Sequence, residues 1–121
     1  MKVYYAHCMA LYNTPQERRD LETLAAMGFE VVNPNSPWIE AEMAKLTPDA
    51  RMFWFERFAD ECDAIAFRGL PSSDKIPSGV ATEINWFYRR QKPVIELPSL
   101  AGARVMTLED TRIYLREVGQ R

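Results

Sequence analysis

Glu83 lies in the stretch SGVATEINWFYRR (78 to 90), three residues after Val80 and four before Phe87. With Ile84, these apolar residues recur at helical spacing, so the carboxylate shares the face that turns inward. Burying a bare carboxylate costs several kcal/mol or more. Glu83 must therefore be paired, exposed in a cleft, or used in chemistry. A negative charge near a helix N-terminus contributes only about 0.3–1 kcal/mol, and the inward position asks for more than that. Ser78 and Gly79 open the same helix. They either cap it or let an anion approach free backbone N–H groups, and capping is the commoner reading by roughly two to one. His7 is the sole histidine and stands where a strand ends. Acid–base work is conceivable there, but a lone histidine more often packs or hydrogen-bonds. With no second histidine and no Cys/His cluster, no transition-metal site can be assembled.

The elements that must position these groups are legible in the chain. KVYYA (2 to 6) is β-branched and aromatic and reads as a strand. TPQE follows with Thr14 as N-cap, Pro15 at N1 and Glu17 at N3, a capping box whose helix buries Leu21, Leu24 and Ala25 and stops at Gly28. FEVVNP (29 to 34) is a second strand, and NPNSP marks its carboxyl end. Residues 38 to 62 read as a short helix, a break at TPDA, and a longer helix capped by Thr47 and Pro48, with Met52, Phe55, Ala59 and Cys62 as its apolar stripe. DAIAF (63 to 67) is a short apolar strand. The Pro/Ser/Gly-rich loop 68 to 79 leads into the Glu83 helix, and KPVIELP (92 to 98) is a fourth strand. RVMT reads as a fifth, and Thr107 begins a last helix with Leu108, Leu115 and Val118 turned inward.

Strands alternating with helices give an α/β fold: a single doubly wound, Rossmann-like or flavodoxin-like parallel sheet of about five strands in the order 2-1-3-4-5, with helices on both faces. In that order the first and third strands are neighbours whose following loops diverge, opening a crevice at their carboxyl ends. The loops are residues 7 to 13 and 68 to 79. Tyr4, His7, Cys8, Met9, Asp74, Ser78, Gly79 and Glu83 are thereby placed at the crevice.

The 121 residues, 47% hydrophobic and 26% charged, suffice for one domain and are too few for two. No apolar run reaches 18 residues and no leader pattern opens the chain, so a cytoplasmic protein is expected, with no membrane partner. Cys8 and Cys62 are too few for a disulfide framework, so both should be reduced. A net charge of −2 with mixed signs gives no reason to expect a nucleic acid polymer, and a small molecule is the better partner. Neither a Walker loop nor a G-x-G-x-x-G fingerprint is present. Large apolar residues on helices 48 to 62 and 80 to 91 exceed what one buried face of each can hold, so a homodimer or larger homo-oligomer is expected.

VYYAHC, GFEVVNP, CDAIAF and SGVATEINWFYRRQKPVIEL together resemble the nucleoside 2-deoxyribosyltransferase superfamily, which includes the nucleoside 5′-monophosphate N-glycosidases. The likeness spans most of residues 1–121. Its most specific element is G-x-x-x-E, here Gly79 to Glu83. The resemblance implies that Glu83 is the nucleophile of a retaining glycosyl transfer, oriented by Tyr4, on a nucleoside or nucleotide and without a cofactor. It also implies a second acidic group, but Phe55 occupies the matching position. Glu56, one residue on, is the nearest candidate and Asp63 the fallback. His7 and Cys8 stand where the family commonly has a Gly-rich turn, and Pro77 where it has a polar residue, with Ser78 displaced by one and Asp74 farther away. Two other readings stay open: a non-catalytic nucleotide-binding protein with the same crevice, and a protein-interaction module working through its aromatic helices.

Overall fold

Successive side chains of a strand point to opposite faces, and the first strand sorts its residues accordingly. In the computed structural model, which describes residues 1–70, 75–97 and 104–117, β1 (Lys2–Ala6) sends Val3 and Tyr5 to one core and Tyr4 and Ala6 to the other. The Val3 side is covered by α1 (Pro15–Ala26) through Leu24, with Leu21 packed against it. The Tyr4 side is larger. It meets Ile39 of α2 (Pro37–Met43), Phe58 and Ala59 of α3 (Pro48–Glu61), Ile84 and Phe87 of α4 (Ser78–Arg89), and Leu115 of α5 (Leu108–Glu117).

The sheet has five strands in the order β2-β1-β3-β4-β5, with β2 (Glu30–Val32), β3 (Ala64–Phe67), β4 (Val94–Glu96) and β5 (Arg104–Met106) flanking β1 as the sequence predicts. The first four run parallel, with Tyr4 beside Val32 on one side and Ile65 on the other. β5 departs from the expected all-parallel sheet: it pairs antiparallel with β4, Ile95 opposite Val105. Chain length is the reason. Only residues 97 to 103 separate the two strands, whereas a parallel crossover needs a dozen or more.

Local signals hold with informative exceptions. Thr14 Oγ1 accepts the Glu17 N–H at 3.3 Å, but the Glu17 carboxylate does not return to the Thr14 N–H; it serves Asn13 and other partners instead. Gly28, at φ +88°, ends α1 with its own N–H bonded to the Ala25 carbonyl and the next N–H to Leu24, the paired bonds of a left-handed helix stop. Ala25 is exposed rather than buried, because the inward positions of α1 go to Glu17, Asp20 and Leu24. Met52 and Leu108 are also exposed, while Phe58 and Thr111 fill the positions turned to the core. Val118 lies outside the described residues.

Candidate active site

Tyr4 is held rigidly because its ring is sandwiched in the core, stacked on Phe58 at 5.5 Å and Phe87 at 6.3 Å between centroids. Its phenol reaches across to α4 and donates a hydrogen bond to Oε2 of Glu83. The helix brings Glu83 there because Val80, Ile84 and Phe87 anchor the same face in the core, which is the arrangement their spacing predicts.

The carboxylate lines a cavity of about 250 Å³ at the carboxyl ends of β1 and β3. From the β1 side come Tyr4, His7 and Tyr12, and from α4 come Gly79, Glu83 and Trp86. A wall that the sequence reading does not include is supplied by Pro34 and by Pro48, Arg51, Met52 and Phe55 at the start of α3. Phe55, read as core stripe, is half-buried because its ring borders this cavity.

Enclosure changes the electrostatics. Burial pushes the Glu83 carboxyl up from 4.5 to about 7, and the Tyr4 hydrogen bond, which favours the charged form, offsets only part of this. The helix N-terminus therefore does not keep Glu83 in the ordinary carboxylate range. Tyr4 is itself raised well above 10, by burial and then by the Glu83 charge, so it stays a proton donor to the carboxylate. Tyr12 is pushed up to about 12, first by burial and then by Glu83.

His7 is buried, stacked almost flat on Tyr5 at 3.8 Å, with Nε2 at 2.8 Å from Glu17 Oε2 and Nδ1 at 3.2 Å from the Tyr5 carbonyl. Glu17 also accepts from the Asn13 N–H at 3.1 Å and from Asn35 Nδ2 at 3.1 Å. Burial pushes the Glu17 carboxyl up, but these donors together outweigh it and leave it below its ordinary value. Three segments are thus tied at one carboxylate: the end of β1, the turn before α1, and the loop after β2. A second buried assembly lies beneath. Arg68, just past β3, grips Asp20 with Nε–Oδ2 at 2.6 Å and Nη2–Oδ1 at 2.8 Å, and Tyr5 O–H donates to the same carboxylate at 2.5 Å. Glu17, Asp20 and Arg68 are absent from the sequence-derived site. Their signal is positional, since residues 17, 20, 21 and 24 follow helical spacing and put two acids on the face that Leu21 and Leu24 bury.

Of the sequence-derived candidates, the structure brings Tyr4, His7, Gly79 and Glu83 to one cavity. Ser78 is exposed at the first position of α4 and does not cap it; Pro77 is the N-cap, and no side chain closes that first turn. Among the described residues, nothing beyond the helix's own backbone and the adjoining residues lies within 4 Å of where a Cβ on Gly79 would sit. Met9 is 79% exposed and borders a neighbouring compartment, while Cys8 is half-buried before the 3-10 turn Met9–Leu11. Glu56 and Asp63 stand apart from the cavity. Glu56 pairs with Arg90 at 3.1 Å on the far side of α3, and Asp63 accepts the Lys2 N–H at 2.7 Å at the amino end of the sheet. Asp74 lies outside the described residues.

This geometry sits on a fold seen before. The chain is similar to the structure of Clostridium botulinum CMP N-glycosidase, BcmB, with a TM-score of 0.52 and 20% identity, over 99% of this chain and 84% of that one. At that identity the likeness establishes a shared α/β fold. No protein-family profile matches the sequence, and no curated protein matches it. Among the described residues no helix is long and apolar enough to cross a membrane, and no group of three potential metal-ligating side chains occurs.

Proposed function

We propose that this protein cleaves the N-glycosidic bond of a nucleoside or nucleoside 5′-monophosphate, with Glu83 as nucleophile. The observation that carries the reading is the Glu83 carboxylate, bonded by the immobilised phenol of Tyr4 at the wall of a cavity of about 250 Å³. The similarity in fold to a CMP N-glycosidase supports it. With Oε2 occupied by Tyr4, Oε1 attacks the anomeric carbon and forms a glycosyl ester. The C–N bond breaks, its electron pair leaves with the base, and the base nitrogen takes a proton from solvent. Water then opens the ester, releases the free sugar and restores the carboxyl group. Transfer to a second base in place of water uses the same intermediate. The uncapped first turn of α4 at Ser78 and Gly79 receives the 5′-phosphate through backbone N–H groups, and His7 closes the cavity at the sugar's other side. Glu56 and Asp63 take no part, since each is engaged away from the cavity.

Burial that holds Glu83 near neutrality in pKa favours a second reading. A carboxyl that is protonated in a good fraction of molecules at pH 7 suits a nucleotide-binding protein without turnover. The two part in one experiment: release of free base from CMP and a panel of nucleosides and 5′-monophosphates, with binding measured in parallel. Base release supports the glycosidase, whereas tight binding without release supports the binding protein. We further propose a homo-oligomer. Phe53 is 78% exposed on α3, a large apolar side chain of the kind that self-association covers.

A further inference from the structure

Beside the cavity that holds Glu83 lies a second compartment for which the proposed reaction has no use. The outer compartment measures about 420 Å³, and the two share Tyr12, Pro34, Arg51 and Phe55 as a common wall. Past that wall the outer compartment is lined by Met9, Ile39 and Met43, with Glu40 and the shared Arg51 as its charged groups. Tyr4, Gly79 and Glu83 border the inner compartment alone. A nucleotide with its anomeric carbon at Glu83 and its phosphate at Gly79 has both of those ends fixed on the inner side. The base is the part left to reach the shared aromatic wall.

We propose that the outer compartment is a subsite for an apolar substituent on the leaving base, so that the preferred ligand is a nucleoside or nucleotide whose base carries an alkyl or aryl group. This rests on the nucleotide reading of the inner site. Volume supports it: ligand pockets usually run to about 300–1,000 Å³, and the inner compartment at about 250 Å³ falls short alone, whereas the two together fall within that range. Chemistry supports it as well. Two thioethers, an isoleucine and two aromatic rings form a surface that adapts to an apolar group of variable shape. Met9 leaves 79% of itself in water at this edge, and an occupant would cover it.

The test compares paired ligands on the Glu83→Gln protein by calorimetry: CMP against its N4-benzyl derivative, and AMP against its N6-benzyl derivative. For at least one pair the benzyl compound should bind about tenfold more tightly, the factor that burying two methylene-sized groups supplies. Ala44→Trp, on an exposed residue of the outer wall, should bring the ratio of affinities within each pair close to one. Met9→Asp should do the same by placing a charge where the apolar group sits. Equal affinities in both pairs overturn the proposal, as does a preference that survives both substitutions, or no binding by any of the four. A second copy of the chain seated on this compartment would produce the equal-affinity result. If the benzyl compound is preferred but the wild type releases no base, the subsite stands and the glycosidase reading falls. Should parent nucleotides be cleaved with no benzyl preference, the reverse holds.

Discussion

Tyr4 and Glu83 are 79 residues apart in the chain and meet through a single hydrogen bond, phenol to carboxylate, between the third residue of β1 and the second turn of α4. The sheet fixes one partner and helix packing fixes the other. That bond holds the carboxylate in one orientation and favours its charged form. Tyr4→Phe removes both effects, so the Glu83 carboxyl should move to a still higher pKa. The acid limb of the pH–rate profile should shift upward, and kcat at pH 7 should fall by roughly tenfold while KM changes little. An unshifted limb would mean that the phenol does not act on the carboxylate.

Glu83 should also leave a mark on stability. Its carboxyl titrates near 7 in the folded protein against 4.5 ordinarily, so the folded state holds the proton more strongly. The associated stability is fully present below pH 4.5 and is lost as pH rises through about 7. Ionising the enclosed group costs up to about 3 kcal/mol above that point. Urea unfolding at pH 5 and pH 8 should therefore show the wild type losing stability relative to Glu83→Gln over that interval. A constant difference between the two proteins would place the carboxyl in the ordinary range.

The Asp20–Arg68 pair tests the framework beneath the site. Both side chains are buried, so Asp20→Ala takes a two-point carboxylate partner from a buried guanidinium and should destabilise the fold by about 3–5 kcal/mol. Asp20→Met combined with Arg68→Met should recover part of that loss, because the buried guanidinium is removed together with its carboxylate. Urea midpoints of the single and double variants check this.

Phe53→Lys should shift the protein toward a smaller species in light scattering at micromolar concentration, with little change in thermal stability measured per chain. A wild type that is already monomeric at that concentration removes the proposed oligomer.

The strand order and the crevice between β1 and β3 can be read from the sequence because they follow from periodicity, caps and the rules of parallel crossovers. Glu83 stands out for the same reason, as an acid at an apolar helical position. The direction of β5 is not carried by RVMT, whose pattern does not distinguish parallel from antiparallel pairing; it follows from the span between β4 and β5, too short for a crossover. Glu17 shows a deeper limit. Its place in a capping box accounts for it locally, and nothing nearby reveals that His7 and Asn35 will converge on it. The same holds for Arg51 and Phe55, which reach the cavity only because α3 starts beside the carboxyl end of β1. Contacts between distant segments depend on how layers stack, and a single chain's local pattern does not carry that.

The role of Glu83 is settled most directly by base release from a nucleoside or 5′-monophosphate that the wild type cleaves, measured for Glu83→Gln under the same conditions. Glutamine keeps the size of the side chain and its hydrogen bond with Tyr4 but has no carboxylate oxygen to form a glycosyl ester. Release should fall by at least about a thousandfold, while calorimetry shows the ligand still bound. Equal rates for the two proteins would contradict the nucleophilic role and with it the proposed mechanism.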